Sequence, residues 1–190
     1  NNTGNTNPLV IAGAGPTGVE LACKISDLIK NKVEIYLVDK GNQILSKSKS
    51  FNREKALDAI AKRNIKIYLE HNIESVNENI IEISNVKHDR DYSLKVNYSC
   101  FLWTAGLRPF QLQIVNDLLD KNKKIKVNKF LQINEYRNIF WVGDIVFCDE
   151  YSFPSSAQVA MQQGYLTAKN ILSLRSGNQM KSFQFEDLGE

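Results

Sequence analysis

The 190-residue sequence predicts an α/β chain in which a parallel sheet with its helices leads into an antiparallel meander, followed by a second, less regular region. Three observations carry this. A short apolar run, Leu9 to Ile11, meets a glycine-rich turn and then a helical pattern; a second apolar run, Val33 to Asp39, arrives one helix later; and after Glu70 the hydrophobic period turns from helical to alternating.

Residues 1–7 contain only Asn, Thr and Gly, too little apolar surface to order a segment, and read as a linker. Leu9–Ile11 is the first strand. Pro16 to Asn31 places Val19, Leu21, Ala22, Ile25, Leu28 and Ile29 at helical spacing. The β-branched and aromatic run Val33–Asp39 completes a βαβ unit with a parallel pair. A second amphipathic helix is expected over Phe51–Arg63, with Phe51, Ala56, Leu57, Ile60 and Ala61 inward, then a strand from Ile65. To Glu70 the pattern is doubly wound. Short alternating runs at 73–76, 80–83 and 92–98 predict the meander, and FLWTAG, closed by Gly106 and Pro109, a further strand. Beyond it the reading is a short helix (112–119), strands at 125–127 and 131–133, a strand IFWVG, and a helix over about 156–174. The nucleotide-binding domain is set at 8–109 and a second region at 110–190.

Composition excludes several classes. The net charge of +3, from 24 basic and 21 acidic residues, is scattered, with Lys47/Lys49 and Lys123/Lys124 on solvated turns, so no nucleic-acid partner is expected. Cys23, Cys100 and Cys148 are odd in number and lack metal or disulfide spacing, as do His71 and His88; the cysteines read as packing residues in a reducing compartment and the histidines as surface residues. No signal peptide opens the chain and no apolar run spans a bilayer, which predicts a soluble polypeptide. Trp103 and Trp141 sit in apolar strands and read as core.

The chemistry centres on Gly13-Ala14-Gly15-Pro16-Thr17-Gly18, a G-x-G-x-x-G between strand and helix. Gly13 permits the tight turn, Gly15 leaves room for a pyrophosphate, and Gly18 lets helix and strand pack closely, while the helix N-terminus receives the phosphates. Pro16 suits the first turn, where its missing N–H matters little. Asp39 ends the second strand 21 positions after Gly18 and is placed to accept the adenosine ribose hydroxyls. Its carboxylate favours NAD(H) over a 2′-phosphorylated cofactor, with Lys40 beside it a partial offset. The expectation is a Rossmann-like dinucleotide-binding domain.

The stretch GAGPTGVE, with Glu20 two places after the last glycine, resembles the second, NAD-binding motif of flavoproteins that carry two dinucleotide-binding domains. WTAGLRP at 103–109 resembles the segment ending that NAD domain, and IFWVGD, ending at Asp144, resembles the second flavin motif. AQVAMQQG narrows the resemblance to the type II NADH dehydrogenases, single-subunit FAD-dependent NADH:quinone oxidoreductases of the pyridine nucleotide-disulfide oxidoreductase superfamily, whose quinone-site motif is similar to A-Q-x-A-x-Q. FQFEDLGE resembles the family's tail segment.

The resemblance runs from Leu9 to Glu190 and implies electron transport from NADH through FAD to a quinone. It places Ala105 and Gly106 near the nucleotide, Glu20 near the nicotinamide, Gly143 and Asp144 at the flavin, and Gln158 and Gln162, four apart on one helix face, at the quinone; Gln163 reads as pointing elsewhere. It also implies an N-terminal FAD-binding half absent from this sequence, so that 110–190 is the incomplete C-terminal part of a FAD-binding domain. A parent peripheral to a membrane on its cytoplasmic side is implied as well. The chain alone is expected to bind NADH, to retain FAD poorly, to be inactive, and either to form a homodimer or to carry a poorly ordered tail. Two alternatives stay open: a fragment of an NAD(P)H-dependent disulfide or ferredoxin-type reductase, and a non-catalytic NAD-binding sensor module.

Overall fold

The computed structural model describes residues 7–87, 93–106, 119, 124–151 and 153–189. Among the expectations above, residues 1–6 of the linker, His88, Pro109, Lys123 and the helix over 112–118 lie outside the described residues. The chain divides into two compact units, Asn1–Leu107 and Arg108–Glu190.

The first unit runs β1 (Leu9–Ala12), α1 (Pro16–Leu28), β2 (Ile35–Asp39), α2 (Ser50–Ala61), β3 (Ile65–Leu69), β4 (His71–Val76), β5 (Ile80–Asn85), β6 (Ser93–Asn97) and β7 (Cys100–Trp103). Four strands form a parallel sheet in the order β3-β2-β1-β7, and β4-β5-β6 form the antiparallel meander. The near-continuous apolar strands are explained by burial on both faces. Alternation sends Ile11, Ile35 and Leu37 to one side, where Val19 and Ala22 of α1 and Ile60 of α2 meet them. Val10 and Val38 face the other way, onto Ile81, Ile83 and Val96 of the meander. Both helices therefore cover one face of the sheet, and the meander occupies the face that a doubly wound pattern gives to helices.

Helix boundaries differ from the sequence reading for local reasons. α1 stops at Leu28 because Lys30 and Asn31 turn left-handed (φ 53° and 56°). There the Asn31 N–H donates to Ser26 O at 2.9 Å, and the buried Ser26 hydroxyl donates to Asn31 Oδ1 at 2.6 Å. In α2 only Ile60 is buried; Phe51, expected inward, is 64% exposed, because the helix touches the sheet at its C-terminal end. Trp103, expected in the core, is 62% exposed at the end of the edge strand β7, its ring meeting Phe101 edge-on. Cys100 at the start of β7 is likewise exposed, whereas Cys23 and Cys148 do pack against apolar clusters. Burial pushes the Cys23 thiol up. His71 opens β4, half-buried, with Nδ1 2.6 Å from Leu69 O.

The second unit contains β8 (Ile125–Val127), β9 (Gln132–Ile133), β10 (Tyr136–Phe140), β11 (Val146–Cys148) and α3 (Ala157–Arg175). β8 pairs in parallel with β11, a strand the sequence reading did not anticipate, and β9 pairs antiparallel with β10. β10 ends before Trp141 rather than running to Gly143. Trp141 N–H still bonds Leu131 O at 2.9 Å, and Gly143 then turns away at φ +89°. Val127, Ile133, Val146, Cys148, Val159 and Phe183 build the core of this unit. Ser156 caps α3 by accepting the Val159 N–H at 3.3 Å. The tail, for which poor order is one of two expectations beside a homodimer, is laid along α3 with Phe183 buried and its N–H donating to Lys129 O at 2.8 Å.

Among the described residues no helix is long and apolar enough to cross a membrane, and no group of three or more His, Cys, Asp or Glu is placed to hold a metal.

Candidate functional site

The glycine turn lies at the carboxyl edge of the parallel sheet, where β1, β2 and β7 end together. Gly13 leaves β1 at φ +102°, and a Cβ on it would come within 2.9 Å of the Ala105 backbone, so the close approach of the segment after β7 demands glycine there. At Gly18 a Cβ would fall 1.8 Å from Gly13 O, which explains helix–strand contact at that position. Gly15 is different. It is the N-cap of α1 in extended conformation (φ −75°), and a Cβ on it would meet nothing within 4 Å. Among the described residues no contact calls for glycine at 15.

Asp39 does more than end β2. Its Oδ2 accepts the Ala14 N–H at 2.7 Å and its Oδ1 accepts the Gly41 N–H at 2.6 Å, so the carboxylate ties the glycine turn to the loop after β2. The turn is held further by Gly13 N–H to Val38 O (2.7 Å) and Leu45 N–H to Ala14 O (2.8 Å). Each carboxylate oxygen keeps a lone pair for a further donor. No side chain caps α1 and Pro16 has no N–H, so the first-turn amides of Thr17 and Gly18 have no partner within the helix. The macrodipole makes that end favourable for an anion.

The sheet edge thus brings together Gly13, Ala14, Gly15, Pro16, Thr17, Gly18, Asp39, Ala105 and Gly106. Lys40 follows Asp39 and is exposed. Glu20 is exposed too, but in the second turn of α1 rather than the first. Thr104 is a residue the sequence reading missed. Its N–H donates to Ala12 O at 2.8 Å, and its Oγ1 lies 2.7 Å from Ala12 O and 3.1 Å from Gly13 O, its one proton serving either. Nothing local to Thr104 signals this, since the contact spans 91 residues of chain.

In the second unit, Gly143 and Asp144 form an open turn: a Cβ at Gly143 would meet nothing within 4 Å, and the Asp144 side chain is exposed. Gln163, expected to point elsewhere, is fully buried and its Oε1 accepts the Gly143 N–H at 2.7 Å. Its Nε2 has no partner among the described residues, nor has Thr167 Oγ1 one turn on. A signal existed in the phase of the helix: Val159, Gln163, Leu166, Thr167 and Asn170 follow one inward stripe. Gln158 and Gln162 do share a face, and both amides bond main chain of the tail.

A parallel sheet with a glycine turn at its carboxyl edge, braced by the acid that ends the next strand, defines a Rossmann-type α/β protein. The chain belongs to the pyridine nucleotide-disulphide oxidoreductase family, whose model matches residues 2–164. It is 29% identical over 201 residues to the type II NADH:quinone oxidoreductase of Staphylococcus aureus, the match covering 97% of this chain and 48% of that protein. The chain therefore spans about half the length of the curated relatives it matches. Its fold is similar to that of NDH2 from Plasmodium falciparum, solved in complex with NADH, with a TM-score of 0.84 at 16% identity, covering 97% of this chain and 55% of that one. A pyridine nucleotide-disulfide family oxidoreductase from Enterococcus faecalis V583 is similar with a TM-score of 0.69 at 17% identity, over 95% of this chain and 41% of that one.

Proposed function

We propose that this chain is the nicotinamide-nucleotide-binding domain, with part of the flavin-binding region, of a type II NADH:quinone oxidoreductase. The observation that carries the reading is Gly15: the protein leaves empty the space its side chain would fill, beside unpartnered helix-end amides and an anchored carboxylate. A pyrophosphate fits that arrangement, with Gly13, Gly15, Thr17 and Gly18 around it and Pro16 fixing the helix start. The free lone pairs of Asp39 accept the adenosine ribose hydroxyls, which favours NADH over NADPH. Lys40 lies on the solvent side of the same edge. Ala105 and Gly106 border the nucleotide where the chain passes Gly13, and Glu20 orients the nicotinamide end.

FAD, when bound, would supply the two-electron relay between NADH and quinone, with overall balance NADH + H⁺ + quinone giving NAD⁺ + quinol. The residues of the second unit fit one part of that cofactor. The open Gly143 turn and the exposed Asp144 carboxylate suit a polyol chain, and the unused donor of Gln163 stands behind the turn. Gln158 and Gln162 offer amide donors toward the acceptor. The parent associates with a membrane surface, and this chain alone self-associates.

Calorimetric titration of the purified chain with NADH and NADPH, together with its visible absorbance spectrum, tests the reading. Measurable NADH affinity that exceeds NADPH affinity supports it; no binding of either nucleotide overturns it.

A further inference from the structure

The tail after α3 joins no sheet, yet main-chain groups of Lys181, Glu186, Leu188 and Gly189 are paired with side chains of α3. Asn170 Nδ2 donates to Lys181 O and its Oδ1 accepts the Lys181 N–H, both at 2.9 Å. Two turns back along α3, Gln162 treats Glu186 in the same way, with Nε2 to Glu186 O at 2.7 Å and Glu186 N–H to Oε1 at 3.0 Å. Gln158, one turn further, donates from Nε2 to Gly189 O at 2.7 Å and accepts the Leu188 N–H at 3.2 Å. The spacing has a simple origin. Four residues of helix advance about 6 Å, and two residues of extended chain advance about 6.6 Å, so Gln162 and Gln158, four apart, meet the N–H groups of Glu186 and Leu188, two apart on an antiparallel segment.

We propose that Gln158, Gln162 and Asn170 form a ladder that reads the main chain of residues 181–189 and docks it on α3, and that the docked tail in turn fixes which way the two glutamine amides face. A side-chain amide has two N–H donors and two acceptor sites. The tail uses one of each, so the oxygen and nitrogen of Gln158 and Gln162 are locked in place, and each keeps one N–H for a further partner. Glu186 and Leu188 thereby become positioning residues, acting through their main chain. Only this last step, the outward N–H, rests on the quinone role given above; the ladder does not.

Residue-resolved amide hydrogen exchange on the full chain, with no nucleotide present, tests the proposal. The amides of Lys181, Glu186 and Leu188 are expected to exchange at least about tenfold more slowly than unstructured chain. Gln162→Ala should return Glu186 to the unprotected rate while amides inside α3 keep theirs. Gln162→Glu retains an acceptor for the Glu186 N–H but no donor for its carbonyl, and should give an intermediate rate. Asn170→Ala should release Lys181 alone. Unprotected Glu186 and Leu188 amides in the unmodified chain, or protection unchanged in Gln162→Ala, would overturn the ladder. A failed NADH titration beside protected tail amides would remove the nucleotide reading and leave the ladder standing.

Discussion

Gly15 and Gly18 belong to one motif, yet the structure assigns them opposite constraints, and substituting each in turn separates ligand space from protein space. Gly15 is extended, a conformation open to any residue, and its side-chain direction is empty to 4 Å. Gly15→Ala and Gly15→Val should therefore both stay within about 1 kcal/mol of the parent, the gain through the unfolded chain set against the loss of a favoured N-cap residue. Either side chain stands where the proposed pyrophosphate would approach. Losing one hydrogen bond to the charged group, worth about 1.5–3 kcal/mol, weakens NADH binding about 10- to 150-fold. Gly18→Ala reverses the pattern. Its Cβ would lie 1.8 Å from Gly13 O, so α1 must shift off β1, and overpacking of this kind destabilises by about 1–3 kcal/mol or more. Urea unfolding and NADH calorimetry on all three variants give the two axes. The reasoning is refuted if Gly15→Val binds NADH as tightly as the parent, or if it loses as much stability as Gly18→Ala.

Asp39→Asn leaves one acceptor where two N–H groups, of Ala14 and Gly41, now bond, and sets an NH₂ against the other. It should destabilise by about 1.5–3 kcal/mol and move preference toward NADPH, read by thermal melting and by paired titrations. Gln163→Glu would place a charge at a fully buried site and should destabilise by more than Gln163→Leu, which loses only the bond to Gly143; equal effects in denaturant would show that the site is open to water. Tyr36 is pushed up to about 12, chiefly by burial and then by its hydrogen bond with Glu34. Because the folded state holds that proton more tightly than the unfolded one, the Tyr36 contribution to stability should be level below about pH 10 and be lost as pH rises toward 12. Tyr36→Phe should remove that part of the alkaline decline, followed by spectrophotometric titration and unfolding at each pH.

What could be read ahead of the structure was what repeats or is local. The strand–turn–helix of residues 9–28, the acid at 39 and the alternating runs of the meander each carry their signal within a dozen residues, because turn geometry and side-chain period are local constraints. Phe51 and Trp103 misled because an apolar residue in a periodic element predicts a face and not what covers it. α2 meets the sheet only near Ile60, and β7 is an edge strand. Thr104 and the tail ladder were beyond reach for another reason: each pairs with main chain distant in sequence, and a hydrogen bond to a backbone group leaves no mark in the identity of the partner. For Gln163 the helical phase did hold the answer, since it places the residue on the inward stripe, off the face shared by Gln158 and Gln162.

The brace that Thr104 applies to Ala12 and Gly13 puts the completion of the glycine turn late in the life of the chain. As the polypeptide leaves the ribosome, the glycines emerge first, but the partner strand of β1 on its second side and the hydroxyl that steadies the turn follow some ninety residues behind. A nascent chain stopped before β7 carries every letter of the motif and lacks its finished shape, so the turn should reach that shape in one step, when Thr104 reaches its place.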